Sequence, residues 1–390
     1  MNGKAENIMR NSSRIATYHG KDETAGWRDG LITPAVYDTV ENEYRRIRKG
    51  IALTDSSHYG KFKVEGTGAV DLINRISFAD AVRVPINRMM PSYVLNEDGS
   101  LFCEMFVANY GDYYRILSEG VEPEKLFALL REEIEKRAPD TFITDETQTQ
   151  SLIGLDGPYS WELLKEFMGA SIIGTRYLEI VSDNQLDGIP FTLYRAGKTG
   201  EYGYLLQVDT DHVVGLWQKL LELGQRFDLR PAGYQVLDLC RMENRFANMH
   251  HEAGLAKHVL ELNTRVMVSR DKEDYIGRAA VEEKLDNGIE RRLIGMTLEE
   301  GQIDQPSLEC GDGVYSDDDK IGEIANLGFS FTLNRWIALA FLDVDYAYAG
   351  LDYRLGGQGG DYGAKTVSAP FIFNQSLRIR PQEDSYFTET

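Results

Sequence analysis

The sequence predicts an α+β chain in which a mixed region, residues 21–286, precedes an all-β module, residues 287–380. Three observations carry that prediction. Up to about residue 287, runs with helical spacing alternate with short strand-like runs. The stretch Y-V-L-N-E-D-G-S-L-F-C-E-M-F-V-A-N-Y-G-D-Y-Y-R-I-L reads as three short strands joined by Asp-Gly and Gly-Asp turns, so the sheet is at least partly antiparallel. From Arg291 onward R-L-I-G-M-T-L, I-G-E-I-A-N-L and W-I-A-L-A-F-L-D-V alternate with Gly and Asp turns, and no helical spacing follows. With 390 residues, 42% of them apolar and 11% aromatic, the chain can fill two or three cores.

The elements follow in order. Residues 1–20 and the last ten, P-Q-E-D-S-Y-F-T-E-T, are polar and aperiodic and read as loosely held tails. Between Tyr37 and Lys49 the spacing is helical, with a basic last turn. K-F-K-V-E-G then alternates as a strand, and T-G-A-V-D-L-I-N-R-I returns to helical spacing. Further helices are predicted at Glu122–Arg137, at Gly157–Met168 with Pro158 in the first turn, at Asp211–Leu223 and at Tyr234–Asn248.

Composition excludes several classes of function. Sixty-two acidic against forty-two basic residues give a net charge of −20, which repels phosphate backbones and argues against nucleic acid as a partner. An acidic carrier protein is repelled for the same reason. Cys103, Cys240 and Cys310 are far apart and form no C-x-x-C, so neither a disulfide framework nor a thiolate metal cage is expected, and a reducing compartment, the cytoplasm, fits. The first residues carry no apolar core of a signal peptide. The longest apolar run, Trp336–Leu342, falls far short of the roughly 18 residues a bilayer span needs, so no membrane partner is expected.

Short landmarks then accumulate: D-S-S-H-Y-G-K at 55–61, L-N-E-D-G at 95–99, G-L-D-G-P at 154–158, T-G-E-Y-G-Y at 199–204, R-M-E at 241–243, H-H-E at 250–252, D-Y-I-G-R at 274–278 and a C-terminal V-Y-S-D-D-D-K-I-G. In this order and spacing they resemble the glycine-cleavage T-protein superfamily, the aminomethyltransferases and their folate-dependent demethylase relatives. The resemblance implies an aminomethyltransferase-type fold: a folate-binding region of two interleaved lobes, then a C-terminal β-barrel, around a central cavity. It also implies a one-carbon (methyl or aminomethyl) transferase acting on a small molecule, with tetrahydrofolate as acceptor or donor. The acidic balance favours a free small-molecule donor over the acidic lipoyl carrier protein of glycine cleavage.

The same resemblance nominates site residues. In the family an Asp on the strand after the L-N-x-x-G-G turn stands at the reactive end of the folate, and gapless matching puts Glu104 there as the catalytic carboxylate. Strand alternation sets Glu104 on the face of Phe102 and Phe106, where a buried carboxyl has a raised pKa and can act as general acid or base. The alternative is an edge strand with Glu104 in water. In the pattern G-Y-T-G-E-x-G-F-E, the Tyr that packs on the folate is here Lys198, and the Glu that pairs with the pterin's guanidine-like edge is Leu205. Losing that Glu leaves buried donors of the ring unpaired, at about 1–3 kcal/mol per group. The Arg of the family's G-L-G-A-R-D falls on Leu237, followed by a matching Asp238, and the Tyr expected at Pro91 has a neighbour in Tyr93. Gly200, Glu201 and Gly203 fit a turn that brings backbone close to the cavity, while Arg241 and Glu243 lie on one helix and read as a structural pair. The implied folate-binding set is therefore Tyr93, Lys198, Glu201, Tyr204, Leu205, Leu237 and Arg241.

Other motifs carry less. V-E-G-T-G-A-V-D has Asp71 where a dinucleotide fingerprint needs its third glycine, and reads as a strand-to-helix turn. G-G-Q-G-G at 356–360 has no helix after it to cradle a phosphate and reads as a hairpin loop. His250, His251, Glu252 and His258 lack H-E-x-x-H spacing, so no metal is expected. D-Y-I-G-R stands where the folate-binding iron–sulfur maintenance proteins carry K-G-C-Y-x-G-Q, which disfavours that branch. Two alternatives stay open beside folate-dependent transfer. One is a folate-independent enzyme of specialised metabolism acting in a cavity relined by Lys198, Leu205 and Leu237; the other is a non-catalytic binding protein on the same scaffold.

Overall fold

A computed structural model describes residues 12–20, 25–269, 271–301, 304–357 and 360–388. The chain opens with α1 (Arg14–His19), capped by Ser13, whose Oγ accepts from the Ala16 amide at 2.9 Å and donates to Asp55. Ile15 and Ala16 are fully buried. This part of the expected loose tail is thus folded; residues 1–11 lie outside the described residues. A hairpin of β1 (Ala25–Arg28) and β2 (Leu31–Pro34) follows, then α2 (Val40–Lys49), capped by Thr39, and β3 (Ala52–Asp55).

The chain next builds a complete five-stranded lobe. It contains β4 (Gly60–Gly66), α3 (Ala69–Ile76), β5 (Arg88–Leu95), β6 (Leu101–Asn109), β7 (Tyr113–Glu119), α4 (Pro123–Arg137) and β8 (Thr141–Asp145), with sheet order β5-β6-β7-β4-β8. The two helices close the core formed by Phe62, Ile73, Val107, Leu126 and Leu130. The V-E-G-T-G turn joins β4 to α3, and Gly66 there has φ +104°, with an added Cβ 2.1 Å from the Asp140 carbonyl.

The second lobe resumes where β3 left off. It comprises β9 (Gln150–Asp156), α5 (Ser160–Met168), β10 (Ile180–Leu186), β11 (Ile189–Tyr194), β12 (Gly203–Asp209), α6 (Val213–Gly224) and β13 (Arg230–Ala232), in sheet order β10-β11-β12-β9-β3-β13. Because β3 precedes the first lobe in sequence and lies inside the second, the lobes are interleaved. The sheets meet through Phe106 and Leu117 of one and Leu152, Tyr194 and Leu205 of the other.

Helix α7 (Tyr234–Asn244) ends earlier than the predicted Asn248, because Arg245 takes a left-handed φ of 58° and its amide closes on Arg241 and Met242. After α8 (Glu252–Leu255) and α9 (Arg278–Asn287) comes the all-β module. Its strands β14 (Arg291–Leu298), β15 (Gly313–Ser316), β16 (Asp319–Ser330), β17 (Arg335–Asp343), β18 (Asp352–Gly357) and β19 (Gly360–Val367) close as β14-β17-β16-β15-β18-β19. Closure removes the free edges that six short strands would expose. Of the G-G-Q-G-G loop, Gly357 pairs with Gly360, and residues 358–359 lie outside the described residues. The last segment is also held: Ser385 Oγ and the Tyr386 amide donate to Glu162 at 2.6 and 2.7 Å, and Phe387 packs on Phe227. The expectation of a loose C-terminal tail is corrected for residues 381–388. Among the described residues no helix is long and apolar enough to cross a membrane.

Candidate active site

Glu104 on β6 stands directly opposite Glu119 on β7. Like charges in that position repel, and both side chains are buried, 10% and 6% exposed. Two cations from distant parts of the chain compensate. Lys198, in the loop before β12, forms an ion pair from Nζ to Glu104 Oε2 at 2.9 Å and donates to Glu119 Oε2 at 2.7 Å. Arg241, on α7, donates through Nη2 to Glu104 Oε1 at 2.6 Å and through Nη1 to Glu119 Oε2 at 3.0 Å. Tyr59 Oη adds a hydrogen bond to Glu119 at 3.0 Å, and His58 Nε2 lies 3.4 Å from it. Burial alone pushes the Glu119 carboxyl up, but Lys198 and Arg241 outweigh it and hold that carboxyl well below the usual range.

Three members of this four-charge cluster, Glu119, Lys198 and Arg241, line a cavity between the two sheets and α7. Tyr59, Phe106, Glu119, Lys198, Leu205 and Leu237 line it. Its free volume is about 50 Å³, room for one or a few waters, so a bicyclic ligand enters only as lining side chains move. His58 also lines a second cavity of about 540 Å³, walled by the hydroxyl-bearing Ser13, Ser57, Thr147, Ser151 and Thr210. The imidazole is thus a partition between a narrow inner chamber and a roomy polar one.

The lining also holds two groups that sequence reasoning missed. Asp156, at the end of β9, is 6% exposed and accepts from Thr199 Oγ1 at 3.0 Å; burial pushes its carboxyl up to about 7 against the pull of Thr199, Arg195 and Arg48. Arg28 reaches in from β1, pairs with Asp238 and stacks on Tyr234, with Cζ 4.1 Å from the ring centroid. A cation thus enters the lining from the N-terminal hairpin, while position 237 itself is Leu.

The predicted residues divide clearly. Lys198, Leu205, Leu237 and Arg241 all line the cavity. Glu104 shares the cavity-side cluster but is not itself part of the lining, and its neighbours are cations instead of the apolar wall that alternation suggested. Tyr93 is the cross-strand partner of Glu104 and packs beside Phe78 and Tyr275, away from the lining. Tyr204 is buried in the core of the second lobe. Glu201 is occupied elsewhere: it accepts from the Ser376 amide and hydroxyl at 2.8 and 2.6 Å and from Arg48, pinning the C-terminal segment. Arg241 and Glu243 do not pair with each other, since positions two apart on a helix point apart; Glu243 accepts instead from Arg48, Tyr44 and Ser330. The histidine-rich segment also diverges. His250 lies 3.6 Å from Asp29, His251 faces Asp238, Glu252 accepts from Asn326, and His258 caps its own turn.

Comparison with known proteins joins this geometry to a family. The family model of the GCVT N-terminal domain matches residues 14–272, and that of the glycine cleavage T-protein C-terminal barrel domain matches residues 291–372. The chain belongs to the glycine cleavage T-protein family. Membership makes it an enzyme of the transferase class, a one-carbon transferase. Among its relatives, the aminomethyltransferase of Alkaliphilus metalliredigens is 27% identical over 323 residues, 82% of this chain and 86% of that one. The aminomethyltransferase of Symbiobacterium thermophilum is 28% identical over 348 residues, 88% and 92% of the two chains. The crystal structure of the glycine cleavage system aminomethyltransferase T from Bartonella henselae superposes with a TM-score of 0.79 at 20% identity, covering 93% of this chain and 98% of that one. That likeness shows the T-protein fold, two interleaved lobes and a barrel.

Proposed function

We propose that this T-protein relative transfers a methyl or aminomethyl unit between a free small molecule and tetrahydrofolate, with the transfer taking place against the Glu119–Lys198 wall. The observation that carries this reading is the partly buried Lys198 ammonium, 18% exposed, held between two buried carboxylates at 2.9 and 2.7 Å. Tetrahydrofolate, when bound, supplies a nucleophilic ring nitrogen that takes or gives the one-carbon unit. The donor set present fits such a ring: the lining includes a carboxylate, Asp156, a cation, Arg28, and the apolar Leu205, Leu237 and Phe106. Methyl transfer to that nitrogen would release one proton, and the departing heteroatom would take one up. Lys198 Nζ is the group placed to pass a proton to that heteroatom, and Glu119, held anionic by its donors, keeps Nζ in place. The hydroxyl-lined outer cavity beyond His58 offers room for a free polar donor. A net charge of −20 works against docking an acidic lipoyl carrier.

Lys198→Arg separates charge from proton transfer. Arginine keeps both ion pairs but does not give up its proton at ordinary pH. Incubation with tetrahydrofolate and a panel of small methylated or aminomethylated donors, followed by mass spectrometry of the folate, is expected to show a one-carbon product with the wild type. Lys198→Arg is expected to slow it about a hundredfold or more. Equal rates in the two proteins would remove Lys198 from the proton path.

A further inference from the structure

We propose that Asp156 is the group that pairs with the guanidine-like edge of the pterin ring, the carboxylate having moved from position 205 to the neighbouring strand. This rests on the folate reading above. In the β9–β12 ladder Leu205 faces Gly154 and Gly203 faces Asp156. Asp156 and Leu205 are therefore diagonal neighbours on one face of the sheet, and both line the inner cavity.

Asp156 is a buried carboxylate without a cation of its own. One oxygen accepts from Thr199 Oγ1, and no other hydrogen bond reaches the side chain from the described residues. The nearby cations are engaged elsewhere: Arg48 with Glu201 and Glu243, and Arg195 with the Gly203 carbonyl at 2.9 Å. A buried carboxylate in that state is costly unless a partner with N–H donors meets it. The pterin edge, with a ring N–H beside an exocyclic amine, presents two parallel donors of the kind a carboxylate binds best. Glycine backbone packs against the engaged oxygen: a Cβ added at Gly197 or Gly203 would lie 3.0 or 2.9 Å from Asp156 Oδ1, the atom that accepts from Thr199. A carboxylate that merely braced the Thr199 turn would need neither a second oxygen without a hydrogen-bond partner among the described residues nor a place in the cavity lining.

The test compares equilibrium binding of 5-methyltetrahydrofolate with that of its analogue carrying a methyl in place of the 2-amino group. The wild type is expected to prefer the amino form at least tenfold. Asp156→Asn, close to isosteric, is expected to lose most of that preference, and the double variant Asp156→Asn/Leu205→Glu, which restores the family's arrangement, to regain it. Melting temperatures verify folding, and Asp156→Glu, which keeps the charge, is expected to retain the preference. If Asp156→Asn discriminates as well as the wild type, the assignment fails while the folate reading stands. If the wild type binds neither compound, both fail.

Discussion

At the scale of single residues, the site is built on a repulsion that two cations cancel. Glu104 and Glu119 face each other across a ladder, and removing Lys198 leaves them opposed with Arg241 alone between them. Breaking a buried ion cluster by deleting one partner costs about 3–5 kcal/mol. Lys198→Met is therefore expected to lower the urea midpoint substantially, and Lys198→Met/Glu104→Gln to recover part of the loss; a midpoint unchanged in Lys198→Met would contradict the cluster as drawn. Glu104, Lys198 and Arg241 were legible in the sequence because family landmarks frame them. Glu119 was also within reach: a two-residue turn at Gly111–Asp112 fixes the β6–β7 register and sets Glu104 against Glu119. Asp156 was hidden inside the G-L-D-G-P landmark, where a turn explains every residue without a cavity. Arg28 comes from a hairpin with no helical or strand period long enough to mark it, and only tertiary folding brings it to Asp238.

At the scale of elements, the short terminal pieces depend on single polar anchors. Helix α1 has six residues, too few to persist in water alone, and Ser13 both caps it and binds Asp55 on β3. Ser13→Ala is expected to cost about 1–2 kcal/mol and to expose α1 to proteases before the rest of the chain; an unchanged digestion pattern would contradict that anchor. Glu201 does the same at the other end. Glu201→Ala strips the acceptor from Ser376, Gln375 and Arg48 together, and cleavage after residue 370 is expected to accelerate in limited proteolysis. The large helices and the meander were readable because their periods extend over eight residues or more, and the barrel because its strands recur between turns. The termini were not, because in α1 only Ile15 and Ala16 of six residues are buried and the rest look like any polar tail.

At the scale of the whole molecule, three buried titrating groups shape stability against pH. Burial raises Asp156 to about 7, above its ordinary value, so its contribution is complete in acid and lost as pH rises through about 7. Burial lowers Lys61 and Lys272 to about 7; their contribution is complete above the ordinary lysine range and lost as pH falls through about 7. Lys61 donates to the Ser57 and Tyr59 carbonyls at 2.9 and 2.5 Å, which explains how a buried amine is tolerated. Together the three place a local minimum of stability near neutral pH. Asp156→Asn is expected to gain on the wild type by a kcal/mol or more between pH 5 and 7.5 in urea titrations, while a constant difference would contradict the assignment. The same fold carries the central claim, a one-carbon transferase whose relined cavity still takes folate. Calorimetric titration of the wild type with tetrahydrofolate tests it most directly: saturable binding in the micromolar range is the predicted result, and no heat of binding at millimolar folate would contradict it.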